Sequence, residues 1–179
     1  MTKRLIMITI FGAGLALGLV APPAETAAQE MATHRDARHA FALSFPKDWR
    51  VVQFKDGPDF HVVGNDGKGP EDCNVIVQRV SGPAYLDRAN QNAMLADIRQ
   101  AVRDAEFKEW RRQTIERRWG VYYVVSGTVP GMKQPYKQTT LGFQVVVGSK
   151  LYTLSCSAPA TSFDQQRALF ERIAASLSF

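Results

Sequence analysis

The sequence has few of the residues on which most enzymes depend. Its 179 residues include only three histidines and two cysteines, and no serine lies in the G-x-S-x-G turn of the serine hydrolases. A Ser-His-Asp triad would have to use His39 or His61 as its base, because His34 lies in a polar stretch ahead of the first predicted strand. We therefore predict that the protein is not an enzyme and has no catalytic residues.

The patterns that bind metals or phosphate groups are also missing. His39, His61 and Cys73 could supply three metal ligands if their strands were neighbours, but no short spacing of ligands supports such a site. The segment GNDGKGPED, residues 64–72, has neither the Lys-Ser/Thr ending of a P-loop nor the alternating carboxylates of a calcium loop. We predict no metal site and no cofactor, and we interpret this segment as a flexible hairpin loop.

The N-terminus carries the longest apolar run of the sequence. Two positive charges precede an uncharged, mostly apolar run at residues 5–21, and two prolines and then small residues follow it. This order is typical of a bacterial signal peptide, so we predict that residues 1–28 are removed by cleavage before Gln29. An uncleaved membrane anchor is the alternative. No cysteine follows the run, so we expect no lipid anchor.

The charge that remains after cleavage points to anionic partners. Removing residues 1–28 takes away two positive charges and one negative charge, so the net charge falls from +5 to +4. Basic exported proteins meet acidic proteins, glycans and lipid headgroups, whereas nucleic acid is scarce outside the cytoplasm. We predict a periplasmic or secreted protein with no transmembrane span after cleavage. Its expected partner is another envelope protein or an anionic surface, and not a nucleic acid.

Hydrophobic periodicity predicts strands in two runs, each followed by a helix. We interpret residues 29–38 as a flexible linker and residues 39–179 as a single domain. Alternating apolar residues predict about four strands before the first helix and about four after it, whereas a period near 3.6 predicts helices over about 85–105 and 162–177. At the second helix Ser162 and Gln165 predict a capping box. Strands in runs favour an α+β fold with a mainly antiparallel sheet.

The last two strands have a predicted register. Gly148-Ser149 is a two-residue turn signal, so position 147 should face position 150 and each opposed pair should sum to 297. This register places Leu141 opposite Cys156 and turns both side chains towards the core, because a slip of one residue would expose the whole apolar set.

The two cysteines lie on predicted inward faces of strands. Their even number and an oxidising compartment favour a disulfide between Cys73 and Cys156, with two separate buried thiols as the alternative. Such a bond would close a long loop and stabilise the fold by about 4 kcal/mol in the chain-entropy model, less any strain. A nucleophilic Cys156 is disfavoured because its neighbours Ser155 and Ser157 supply no base.

Three features give the sequence a family resemblance. FALSFPKDWRVV at residues 41–52, the long central helix, and the ending LYTLSCSAPATSFDQQRALFERIAASLSF resemble the PsbP-like proteins. That superfamily includes an extrinsic subunit of photosystem II, the Ran-binding Mog protein and many small exported bacterial proteins. The resemblance implies an α/β/α sandwich without a shared active site, in proteins that mostly bind or assemble other components.

The segment FKEWRRQTIERRWG, residues 107–120, combines basic and aromatic residues in the way that interfaces often do. We predict a docking surface for an acidic partner or membrane headgroups. The residues are Lys108, Trp110, Arg111, Arg112, Arg117, Arg118 and Trp119. The alternative is a solvated sheet face that Glu106, Glu109 and Glu116 partly balance, with both tryptophans turned inward.

Two functional classes follow. The first is an exported, non-enzymatic binding or assembly protein, which the resemblance and the basic aromatic segment favour. The second is a small-ligand-binding protein or enzyme whose pocket forms only in the fold, near His39, His61 and residues 64–72. A polar cleft around the histidines would favour the second class, and a flat basic surface would favour the first.

Overall fold

The structure, a computed structural model, describes residues 29–64, 71–81, 88–129 and 135–179. The predicted signal peptide and most of the predicted loop at 64–72 lie outside these ranges. The strands are β1 Met31–Asp36, β2 Phe41–Pro46, β3 Arg50–Val51, β4 Phe60–Val63, β5 Asp72–Arg79, β6 Arg103–Ile115, β7 Arg118–Val129, β8 Tyr136–Val147 and β9 Lys150–Pro159. The helices are α1 Arg88–Ala101 and α2 Phe163–Ala175.

The main sheet has seven strands in the order β3-β4-β5-β9-β8-β7-β6, and every neighbouring pair is antiparallel. Strands β1 and β2 form a separate antiparallel ribbon. The predicted α+β class with a mainly antiparallel sheet is confirmed. Strand β3 lies at one edge of the main sheet and β6 at the other, so each of these strands has a single neighbour in the sheet.

Each face of the main sheet is covered by a helix. The larger apolar cluster joins Tyr122 and Phe143 of the sheet to Phe170 and Ile173 of α2, and β2 adds Leu43 to it. The smaller cluster lies on the other face and joins alternate residues of β7 to Ile98 of α1. We call these the α2 face and the α1 face. Among the described residues, no helix is long and apolar enough to cross a membrane.

The prediction that residues 29–38 form a flexible linker is wrong. Residues 31–36 form β1 and pair with β2 along their whole length, from Met31 opposite Pro46 to Asp36 opposite Phe41. The strand lacks a clear apolar period because it is only half covered. Met31 and its neighbour Ala32 pack against the core, whereas Thr33 and Arg35 are exposed. The folded unit therefore begins before residue 39.

The predicted register of the final hairpin is confirmed. Val147 lies opposite Lys150, and Leu141 lies opposite Cys156. On its other side, Cys156 lies opposite Cys73 of β5, and the two residues form a disulfide across 83 residues of sequence. Both are fully buried, so the bond lies in the core between the central strands.

Both helices are shorter than predicted. Strand β6 begins at Arg103, so residues 102–105 are not helical, while residues 85–87 lie outside the described ranges. Asp104, in β6, has φ 56°, which is outside the helical region. The capping box is also wrong, because the Ser162 hydroxyl donates to the Pro159 carbonyl at 3.3 Å and no side chain caps α2.

Candidate functional site

The basic aromatic segment forms the hairpin of β6 and β7, at one edge of the main sheet. Opposed residues in this hairpin share a face, and Trp110 pairs with Tyr123 whereas Arg111 pairs with Tyr122. Trp110 therefore points to the α1 face, and Arg111 points to the α2 face. The seven predicted residues do not form one continuous surface.

Three of the five basic residues in the segment are neutralised by carboxylates. Glu106 lies 3.7 Å from Lys108, Glu109 lies 3.1 Å from Arg111, and Glu116 lies 3.1 Å from Arg118. Trp110 is turned inward, with its ring 5.7 Å from the ring of Tyr123 and nearly parallel to it. For these residues the geometry matches a balanced, solvated face.

Glu109 is held by the main body of the fold. Arg167 of α2 bonds to Glu109 and also to Glu171. The hydrogen bond from Arg167 is the main reason that the pKa of Glu109 lies below its ordinary value. This contact ties the β6 edge to α2 and fixes the carboxylate that neutralises Arg111.

Three of the seven predicted residues take no part in these contacts. They are Arg112, Arg117 and Trp119, and we call them the Arg-Trp patch. The Arg112 guanidinium lies 4.9 Å from the centre of the Trp119 ring, in cation–π geometry. Trp119 is 38% exposed, and both arginines are exposed. Among the described residues, neither Arg112 nor Arg117 has an acidic partner within ion-pair distance. The patch is thus the unbalanced part of the predicted surface.

The turn that carries Arg117 has an unusual backbone. Ile115 pairs with Arg118, so Glu116 and Arg117 form a two-residue turn, and their φ angles are 47° and 63°. Asn-Gly or Asp-Gly usually occupies such a turn, since left-handed backbone costs other residues about 1–2 kcal/mol each. Strain of this kind is often retained where a site needs a particular side chain. Sequence reasoning missed this turn because it contains no glycine, asparagine or proline.

A second site lies near the β3 edge, where all three histidines of the chain line one cleft of about 340 Å³. The β1 strand supplies His34, the turn after it supplies His39, and β4 supplies His61. The segment between β3 and β4 completes the lining with Phe54 and Asp59. A polar cleft therefore forms at the place where a hidden pocket was predicted.

Two of the histidines contact carboxylates. His61 Nε2 lies 2.9 Å from Asp72 Oδ2 in a hydrogen bond, and His39 Nε2 lies 3.1 Å from Asp59 Oδ1. The Asp59 oxygen is close but poorly aligned, so it forms no hydrogen bond with His39 Nε2. Burial raises the pKa of Asp72 above its ordinary value, while the charge of His61 and hydrogen bonds from His61 and Asn74 oppose the shift.

His34 and Cys73 each contact a residue other than the two remaining histidines. The His34 ring stacks on Phe60, with ring centres 4.2 Å apart. Cys73 is bonded to Cys156, so it offers no thiolate to His39 and His61. Within the part of the chain that the structure describes, no group of three histidine, cysteine or acidic side chains has metal-binding geometry.

Comparison with known families gives a match that includes every described residue. The sequence model of the PsbP family matches residues 29–179, which include β1 and exclude the predicted signal peptide. No curated protein sequence matches the chain.

Solved structures with the same fold come from several bacteria. The solution structure of cyanobacterial PsbP (CyanoP) from Synechocystis sp. PCC 6803 is 18% identical with a TM-score of 0.59, covering 90% of this chain and 99% of that one. LpqN of Mycobacterium tuberculosis, described as involved in cell envelope biogenesis, is 13% identical with a TM-score of 0.57, covering 83% and 90%. The Pseudomonas aeruginosa protein PA94, of unknown function, is 10% identical with a TM-score of 0.53, covering 83% and 96%.

Proposed function

We propose that this chain, which belongs to the PsbP family, is an exported binding or assembly protein and not an enzyme. It docks an acidic partner protein through the Arg-Trp patch. The apolar N-terminal run supports export, and the description of LpqN as a cell-envelope protein is consistent with an envelope role. Family membership and fold alone do not specify the partner, so the patch carries the proposal.

The observation that carries the proposal is the pairing of an unbalanced Arg112 with an exposed Trp119. Stacking on the indole orders the guanidinium while its N–H groups stay available for a carboxylate, which arginine binds with two parallel hydrogen bonds. The tryptophan offers apolar area that a partner can bury, and such Arg and Trp anchors dominate many interfaces. Arg117 adds a second charge from the adjoining turn.

The test compares two double variants with the same loss of charge. Arg112→Gln with Arg117→Gln removes the patch charges, and Arg50→Gln with Arg79→Gln removes two exposed charges elsewhere. Native mass spectrometry of each protein, purified gently from the envelope of its own host, measures the bound companion. We expect the patch variant to bind at least about tenfold more weakly and the control to bind normally.

Two results would contradict this proposal. Equal loss of the companion in both variants would mean that net charge and not the patch attracts it. Retention in both would mean that the companion docks elsewhere. The denatured mass from the same preparation tests export, because a processed chain begins at Gln29 and is lighter by two hydrogens when the disulfide is formed.

The histidine cleft supports a second candidate function, the binding of a small ligand. The supporting observation is that His34, His39 and His61 line one polar cleft of about 340 Å³, within the size range of small-molecule sites. This candidate is compatible with the first, because the cleft lies near the β3 edge and the Arg-Trp patch lies at the β6 edge.

A further inference from the structure

We infer that the histidine cleft binds a neutral, hydroxyl-rich ligand of the saccharide class, an inference that rests on the second candidate function. Three properties of the lining carry it: its balanced charge, its unsatisfied imidazole nitrogens and its exposed aromatic ring. The inference is independent of the Arg-Trp patch.

The formal charges in the lining cancel. Asp36 and Asp59 contribute two negative charges, and Arg38 and Lys55 contribute two positive charges. Both carboxylates are also occupied by backbone donors: Asp36 Oδ1 accepts from the His39 N–H, and Asp59 Oδ2 accepts from the Val77 N–H, each at 2.7 Å. An anion would meet the two carboxylates and a cation would meet the two basic side chains, so the cleft has no net attraction for either. A neutral polar ligand avoids both penalties.

Two imidazole nitrogens in the lining have no hydrogen-bond partner among the described residues. They are His61 Nδ1 and His39 Nε2, both buried, and of the two only His39 Nε2 has a carboxylate oxygen close by, Asp59 Oδ1 at 3.1 Å. In neutral His61, the bond from Nε2–H to Asp72 leaves Nδ1 as an acceptor. A hydroxyl group can donate to such a nitrogen or accept from a protonated one, whereas a carboxylate or phosphate dianion has no hydrogen to donate. Buried polar atoms without partners favour a ligand that supplies the missing bonds.

The rim of the cleft is apolar and exposed. Phe54 is 54% exposed and Val51 is 51% exposed, and both line the cleft. One side of the Phe54 ring approaches His61, with ring centres 5.2 Å apart. A pyranose has an apolar C–H face and a rim of hydroxyl groups, so it can lie on an aromatic ring while its hydroxyls reach polar atoms. The volume of the cleft accommodates one or two sugar rings.

The test is an amide NMR titration of the purified protein with three neutral disaccharides, maltose, cellobiose and N,N′-diacetylchitobiose, and with the acidic disaccharide digalacturonate. We expect at least one neutral disaccharide to shift the amide signals of residues 53–61 at millimolar concentration, and digalacturonate to bind more weakly. Phe54→Ala should weaken neutral binding about fivefold to tenfold. Ile76→Ala, which trims an exposed side chain outside the cleft lining, is the matched control and should leave it unchanged.

The outcomes separate the ligand class from the underlying function. Tighter binding of digalacturonate at the same amides would overturn the neutral class and leave a ligand-binding cleft. No shift with any of the four sugars would overturn the saccharide inference. If free phosphate and acetate also caused no shift, the second candidate function would be overturned. An equal loss of binding in Phe54→Ala and Ile76→Ala would show that the aromatic rim is not the contact.

Discussion

The β3 and β6 edges of the main sheet hold their charged residues in different ways. Near the β3 edge, His39 and His61 are largely buried and each faces a carboxylate, and the formal charges of the cleft lining cancel. At the β6 edge, Arg112 and Arg117 are exposed and have no acidic partner in the described part of the chain, and one of them lies in a strained turn. Enclosed and balanced groups suit a small neutral ligand, whereas exposed and unbalanced groups suit a charged macromolecular surface. One sheet can therefore present two kinds of recognition.

The largest expected effect comes from removing the disulfide, which links the strands near the β3 edge to the rest of the main sheet. Strand β5 belongs to the histidine end and β9 to the arginine end, and Cys73–Cys156 joins them. We expect the double variant Cys73→Ala with Cys156→Ala to lower the free energy of unfolding by about 4 kcal/mol in urea titrations. Hydrogen exchange should show greater loss of protection in β4 and β5 than in β7 and β8. Uniform loss across the sheet would contradict the view that the bond mainly holds β4 and β5 to the rest of the sheet.

A smaller effect is expected from replacing the strained turn at the β6 edge. Replacing Glu116-Arg117 by Asn-Gly should relieve the left-handed strain and raise the free energy of unfolding by about 1 kcal/mol, while it weakens partner binding. Gly148→Ala is the matched control: its φ is 61° and a methyl group would meet no atom within 4 Å, so a loss of about 1 kcal/mol measures the backbone cost alone. Chemical denaturation measures both. If the Asn-Gly variant were less stable than the parent, the turn would not be strained.

The smallest expected effect is on the pH dependence of stability, which should have opposite signs for a carboxylate at each edge. Arg167 lowers the pKa of Glu109, so this group stabilises the fold above its ordinary value of 4.5 and loses that contribution as pH falls through its lower folded pKa. Burial raises the pKa of Asp72, so its contribution is present below 3.8 and is lost as pH rises through the raised pKa. Glu109 is only partly buried and its ion pairs are screened by solvent, so its effect should be under about 1 kcal/mol.

The measurement is urea unfolding of Glu109→Gln and Asp72→Asn between pH 3.5 and 5.5. The stability advantage of the parent over Glu109→Gln should grow as pH rises, and its advantage over Asp72→Asn should shrink. The same direction for both variants would contradict the assigned electrostatics.

The final hairpin and the Arg-Trp patch could be predicted because their signals are contiguous in sequence. Gly148 marks its turn, so the register of β8 and β9 could be counted from it. Arg112, Arg117 and Trp119 lie within a few residues of each other, and the pattern pointed to them. Sequence could not show which arginines are neutralised, since that depends on side chains such as Arg167 of α2.

The histidine cleft could be predicted only in part, because distant segments build it. The strand pattern brings His39 and His61 together, but it leaves His34 in the predicted linker. One signal was available: Asp36 begins the turn between β1 and β2, and its carboxylate accepts from the His39 N–H as turn-initiating aspartates do. Treating Asp36 as a turn residue would have predicted a strand before it and placed His34 opposite β2.

The disulfide also depends on the correct register between β5 and β9. Strands β5 and β9 are far apart in sequence, and such non-local pairs form slowly. The two sulfur atoms meet only when Cys73 stands directly opposite Cys156, since a slip of one residue would turn one cysteine to the other face. A misaligned chain therefore keeps two free thiols, and the appearance of the disulfide during refolding counts the molecules that have found the correct register.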